Sequence, residues 1–265
     1  MKLQGKVIVV TGAGSGIGKA LVSGLIARGA RVAAVDLRKE PLLELQQEFG
    51  AEKVSIHAVD ISKRQTVDAL PGSVIGAHDT VDGLINCAGI IQPFVKIQDL
   101  DYDVIEKVIN VNFYGTLYMT KSFLPHLLNR PEAYVANFSS MGGFLPVPGQ
   151  GVYGASKAAV KLFSEALFAE LLYTNVRVST VFPGATKTNI SQNSGVSAPA
   201  GAEGKAKSFP MLTAEQSAEI VLRGIEKNKP LIYTGKDSKM MNRLYRISPV
   251  YATKLITKKM QSLLG

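Results

Sequence analysis

The chain has 265 residues, 46% apolar and 19% charged, a balance that excludes a disordered chain and suits one large α/β domain or two small ones. No run approaches the ~18 consecutive apolar residues of a membrane span, and the opening "MKLQGKVIVVTGAG" lacks the pattern of a signal peptide. Of the net charge of +9, residues 236–265 supply +6 through seven Lys or Arg against one acid, Asp237, so charge is a property of the tail and argues only weakly for nucleic acid.

Apolar runs rich in valine and isoleucine alternate with helix-like stretches. "KVIVV" (6–10) leads into "TGAGSGIGKAL", whose glycines are Gly12, Gly14, Gly16 and Gly18, and then into a predicted helix over 17–28. "RVAAV" (31–35) ends at Asp36 and is followed by a helix over 40–49. "VSIHAV" (54–59) ends at Asp60, and "VDGLIN" (81–86) ends in Asn86. A long helix is predicted over 103–128, followed by "AYVANF" (133–138) and Ser139-Ser140. After a helix over 154–173 come "VRVSTVF" (176–182) and Pro183-Gly184. Residues 184–210 read as one long loop of the kind that forms lids or is disordered, and "PLIY" (230–233) as the last strand. Continuous runs of this kind suit strands covered on both faces. The expectation is a doubly wound, mostly parallel seven-stranded sheet with helices on both faces.

Glycines after the first strand let the backbone turn tightly and bring a helix N-terminus to a phosphate. Asp36, about 20 residues on, stands where an acid grips a ribose diol. A ligand-free glycine turn would read similarly on its own. In open α/β sheets ligands bind beyond the strand C-termini, and six such ends carry Thr11-Gly12, Asp36, Asp60, Asn86, Ser139-Ser140 and Pro183-Gly184. Together they mark a functional crest. "VYGASKAAV" (152–160) places Tyr153 and Lys157 at i and i+4 on one helix face among small residues. Taken alone, that pair is better explained as a half-buried ring under a lysine stem. His57, His78 and His126 show no metal-ligand spacing, so no metal is expected. The single cysteine, Cys87, excludes an internal disulfide and fits a reducing, cytoplasmic setting.

Taken together, these motifs resemble the short-chain dehydrogenase/reductase family over roughly residues 3–235. The family's Thr-Gly-x-x-x-Gly-x-Gly stands as Thr11, Gly12, Gly16 and Gly18; its aspartate after the third strand as Asp60; its Asn-Asn-Ala-Gly as Asn86-Cys87-Ala88-Gly89, with a departure at Cys87. Asn112 with Gly115 matches Asn-x-x-Gly, Ser140 lies thirteen residues before Tyr153, Tyr-x-x-x-Lys is Tyr153 and Lys157, and Pro183-Gly184 is followed by Thr188.

The resemblance implies a Rossmann-fold oxidoreductase that interconverts a secondary alcohol and a ketone. In it Tyr153 is the general acid/base, Lys157 lowers the tyrosine pKa and holds the nicotinamide ribose, Ser140 orients the substrate oxygen, and Asn112 supports a proton relay. Cofactor contacts are implied at Gly12, Ser15, Gly16, Ile17, Gly18, Asp36, Asp60, Ile61, Asn86, Ala88, Gly89, Tyr153, Lys157, Pro183, Gly184 and Thr188. NAD is expected rather than NADP, because Asp36 would repel a 2′-phosphate and Leu37 and Ser15 stand where NADP users place a basic residue; Arg38 is the counter-argument. A catalytically silent dinucleotide sensor or scaffold is the alternative, which loss of the tyrosine or lysine would have favoured.

Ile91, Phe94, Met141, Phe144, Val147, Phe209 and Met211 stand near the motifs and fit an apolar small-molecule pocket or plain core equally. Family members pair through the helices corresponding to about 112–128 and 154–172, which implies a homodimer or homotetramer. Residues 236–265 form a basic, amphipathic extension of the same domain, two short helices broken near Pro249. Such a segment lies on an anionic membrane or docks on the body or a partner subunit; docking is slightly favoured because short helices bury little surface alone.

Overall fold

The structure, a computed structural model, describes residues 1–196 and 211–260. Its strands are β1 (Val7–Thr11), β2 (Arg31–Asp36), β3 (Val54–Ala58), β4 (Gly83–Asn86), β5 (Ala133–Phe138), β6 (Val176–Pro183) and β7 (Leu231–Thr234). They form one sheet in the order β3-β2-β1-β4-β5-β6-β7, every neighbouring pair parallel. The order reverses between β1 and β4, which opens a crevice beyond their carboxyl ends. The helices are α1 (Gly16–Ile26), α2 (Glu40–Phe49), α3 (Arg64–Asp68), α4 (Leu70–His78), α5 (Tyr102–Ile109), α6 (Gly115–Leu128), α7 (Gly151–Glu170), α8 (Ile190–Asn193), α9 (Ala214–Glu226), α10 (Lys236–Ile247) and α11 (Pro249–Met260).

Successive strand side chains point to opposite faces, so one strand feeds two cores. Ile8, Val10, Val32 and Ala34 pack with Leu21, Leu25, Leu42, Val221 and Leu222 of α1, α2 and α9. Val7, Val9, Ala33 and Val35 pack on the other face with Val74, Met119, Phe123, Leu127 and Leu167 of α4, α6 and α7. These side chains are almost fully buried, and each contributes ~1.5–3 kcal/mol relative to exposure. The continuous hydrophobic runs of the sequence are the signature of this two-sided burial.

Three local features differ from expectation. The single helix predicted over 103–128 is interrupted by a π-helical turn, Asn110–Tyr114, between α5 and α6; one inserted residue shifts the helix face without disturbing its hydrophobic spacing. Helices α3 and α4 occupy a stretch with no predicted helix, where Pro71 at the first turn of α4, with Gly72 and Gly76, breaks the usual signature. Residues 184–196 contain α8 and a bridge from Thr186 to Leu212 rather than plain loop. The rest of the predicted loop, with Phe209, lies outside the described residues.

Pro249 opens α11 directly after α10 ends. The inner faces of this helix pair carry Met241, Leu244, Tyr245, Ala252, Leu255 and Ile256, which cluster with Met141, Phe144 and Leu145 of the body. Ser238 donates to the Phe182 carbonyl at 3.0 Å, tying the start of α10 to the end of β6.

Candidate active site

The cleft at the carboxyl end of the sheet begins with the turn from β1 into α1. The N-cap of α1, Ser15, makes no side-chain capping bond, so the first N–H groups of the helix remain open. A side chain on Gly16, whose φ is +50°, would lie 3.3 Å from Thr188 Cγ2 and fill the space before those groups. One on Gly18 would collide with the Gly12 carbonyl. This leaves a glycine-walled recess at a helix N-terminus, where the backbone dipole and open N–H groups favour an anion. Buried Thr11 ties the end of β1 to the turn after β4, its hydroxyl accepting the N–H groups of Cys87 and Ala88 at 3.1 Å each.

Tyr153 and Lys157 enter the same cleft from the first turns of α7, and Ser140 enters from the end of β5. Gly12, Ser15, Gly16, Ile17, Gly18, Ala88, Gly89, Pro183, Gly184 and Thr188 line it with them. Tyr153 hydrogen-bonds Ser140. Burial pushes the Tyr153 phenol above its ordinary value near 10, and the Ser140 bond pulls the other way. Burial also brings the Lys157 ammonium down to about 8. The Lys157 ammonium donates to the Phe138 carbonyl at 2.9 Å. Burial pushes the neighbouring Cys87 thiol up to about 12, so it stays protonated and unreactive.

The remaining predicted residues lie around the cleft rather than in it. Asp36 ends β2, its carboxylate accepting the N–H of Gly14 at 2.9 Å and of Arg38 at 3.1 Å. Asp60 accepts the Ser62 N–H at 3.0 Å and its hydroxyl at 2.6 Å. Ile61 is buried against Gly115 of α6. The Asn86 amide turns inward, donating to Thr120 at 3.1 Å and Asn137 at 2.8 Å. Asn112, wholly buried in the π-helical turn, accepts the Ile90 N–H at 2.9 Å and donates to the Ile90 carbonyl at 3.0 Å and to Ser156 at 2.9 Å. Its amide is committed to joining the β4 crossover to α7.

Of the apolar candidates among the described residues, Ile91 alone lines the cleft, beside Ile17 and Ile190. Met141 and Phe144 are drawn into the cluster under the C-terminal helices. Met211 is 37% exposed.

The structure adds residues that the motifs did not reveal. Gln92, buried, accepts the N–H groups of Val152 and Tyr153 at 2.9 Å each. Asn193 of α8 donates to the Ser15 hydroxyl at 2.9 Å, bridging the cleft. Asp237 of α10 accepts the Ala185 N–H at 2.8 Å beside Gly184. A capping signal was legible only for Asp237, an acid in the first turn of a helix.

Comparisons with known proteins agree with this fold. The family model described as "short chain dehydrogenase" matches residues 6–197. SadH of Mycobacterium tuberculosis, an oxidoreductase by name, is 34% identical over 253 residues, covering 92% of this chain and 91% of SadH. A Burkholderia phymatum short chain dehydrogenase/reductase solved with NAD superposes with a TM-score of 0.86 at 25% identity, covering 94% of this chain and 95% of that one. A Burkholderia cenocepacia short chain dehydrogenase solved with NADP gives 0.81, also at 25% identity, covering 97% and 99%. With its sheet order, glycine cradle and Ser-Tyr-Lys cleft, the chain belongs to the short-chain dehydrogenase family of oxidoreductases.

Proposed function

We propose that the chain interconverts a secondary alcohol and a ketone, with a nicotinamide dinucleotide as hydride partner and NAD preferred over NADP. The observation that carries this reading is the convergence of Ser140, Tyr153 and Lys157 on the cleft that holds the uncapped N-terminus of α1. The open N–H groups of α1 would hold the pyrophosphate, Asp36 the adenosine ribose and Lys157 the nicotinamide ribose. When bound, the dinucleotide supplies the hydride site and, oxidised, a positive charge near the phenol.

The Tyr153 phenol gives or takes the hydroxyl proton, and Ser140 orients the substrate oxygen. Lowering a phenol from about 10 to ~7 takes ~4 kcal/mol, and burial adds to that requirement. The Lys157 ammonium on the same helix face favours phenolate. Asn112 acts through position: its amide bonds fix the segment at Ile90 against α7. Asp36 supports NAD because it would meet a 2′-phosphate with like charge. Arg38, whose Nε lies 3.9 Å from an Asp36 oxygen, is held in part by that acid.

Ile17, Ile91 and Ile190 on the cleft wall support an apolar substrate. Exposed Tyr114 at the end of the π-helical turn and Leu162 on α7, next to the Phe113–Phe163 edge contact, support pairing of copies into a homodimer or homotetramer. Following NADH formation with secondary alcohols from polar to steroid-like tests the activity and the substrate class together. A kcat/KM for NADP at or above that for NAD would overturn the cofactor preference. Absence of turnover across the panel, with tight NADH binding, would favour a silent sensor.

A further inference from the structure

We propose that the outer face of α10 and α11 docks on an anionic lipid bilayer. The inner faces of the two helices are already satisfied by the body, through Met241, Leu244, Ala252, Leu255 and Ile256. The opposite faces keep large apolar side chains in solvent: Ile247 is 83% exposed, Val250 68%, Tyr251 57% and Met240 55%. Single exposed apolar residues are ordinary, but a contiguous group marks an interaction surface. Met240, Arg243 and Ile247 recur at helical spacing on α10, as do Val250, Lys254 and Lys258 on α11. Ile247, Val250 and Tyr251 flank the turn at Ser248 that joins the two helices.

Charge decides what covers this surface. Lys236, Lys239, Arg243, Lys254 and Lys258 are all exposed; Arg246, also exposed, lines the groove against α7. Asp237, the only acid in residues 236–260, turns inward to the Ala185 N–H. The outer face of the pair therefore presents cations and apolar side chains without a carboxylate of its own. A second copy related by a two-fold axis would place the same patch against itself, cation against cation. An anionic bilayer meets both features: lipid headgroups attract the cations while apolar side chains enter the headgroup boundary. Among the described residues no helix is long and apolar enough to cross a membrane, so the contact lies on the surface.

The test is co-sedimentation of the full chain with vesicles of equimolar phosphatidylserine and phosphatidylcholine, against vesicles of phosphatidylcholine alone. The protein should pellet only with the anionic vesicles and should be released as salt rises towards ~0.5 M. Arg243→Ala and Lys254→Ala should each weaken the partition about fivefold. Ile247→Asp with Val250→Asp should abolish it, while the urea unfolding midpoint stays unchanged because both side chains are exposed. No pelleting with anionic vesicles, equal pelleting with neutral ones, or binding by the double variant would each overturn the proposal. So would a change of oligomeric state in the double variant, measured by light scattering without vesicles, since the occupant would then be a second copy.

Discussion

The side-chain carbonyl of Gln92 accepts the backbone N–H of Tyr153 at 2.9 Å. The same oxygen accepts the Val152 N–H at 2.9 Å, and the amide nitrogen donates to the Gly149 carbonyl at 3.0 Å. Gln150, the N-cap of α7, supplies no side-chain cap. The cap comes instead from a residue far away in sequence, which fixes where the tyrosine's turn begins. Gln92→Ala should strand these buried groups at a cost of ~1–3 kcal/mol in urea unfolding. It should also lower kcat about tenfold or more by misplacing the phenol, with a smaller effect on KM. A variant with wild-type stability and wild-type kcat would show that Gln92 positions nothing.

A buried histidine pair gives the fold a pH dependence. The Ser55 hydroxyl lies 2.8 Å from the Nε2 atoms of both His57 and His78. Burial, reinforced by His78, brings His57 down to about 4, and burial lowers His78 as well. The unfolded chain therefore binds more protons than the native one between pH 6.5 and about 4. Stability from His57 is complete above pH 6.5 and is lost as pH falls towards 4. Between pH 7 and 5 the loss should be about 2 kcal/mol. Urea titrations at the two pH values should show it in the wild type and show less in His57→Gln. An equal drop in both proteins would remove His57 as the cause.

Asp36→Ala should remove the proposed ribose acceptor and the partner of the Gly14 N–H. Hydrogen bonds to a charged group are worth ~1.5–3 kcal/mol. The kcat/KM for NAD should therefore fall ~10–100-fold, and the preference over NADP should shrink. Steady-state rates with both dinucleotides measure this directly. An unchanged ratio of the two would mean that Asp36 does not choose the cofactor.

Asp237 should matter to the cleft although it belongs to the C-terminal helices. Its carboxylate holds the Ala185 N–H beside Gly184, which lines the cleft. Asp237→Ala should raise the KM for NADH several-fold, an indirect effect of loosening the segment at Gly184. An unchanged KM would show that the segment after β6 keeps its place without the acid.

The sheet was legible because two-sided burial writes itself as unbroken Val/Ile runs, and six polar strand ends marked one edge. Tyr153 and Lys157 were legible as a pair through helical spacing, and Ser140 through the family resemblance, which places a serine thirteen residues before the tyrosine. The π-helical turn around Asn112 was not, because inserting one residue leaves an apolar helix looking apolar. Gln92 carries no local signal at all: the N–H groups it caps lie 60 and 61 residues later, and only the packing of the β4 crossover against α7 brings them together. The expectation that Lys157 and nearby charge govern the tyrosine pKa also missed a competing effect. Burial of the phenol works against ionisation, and spacing alone does not report burial.

In the proposed reaction Tyr153 moves the proton that accompanies hydride transfer. The direct measurement is single-turnover NADH formation by Tyr153→Phe with a secondary alcohol that the wild type oxidises. NADH binding to the variant is measured in parallel. The ring is kept, so the fold and NADH affinity should match the wild type, and the rate should fall ~10²–10⁴-fold, the usual worth of a general acid/base. Near-wild-type turnover with intact binding would contradict the mechanism and leave the cleft without its acid.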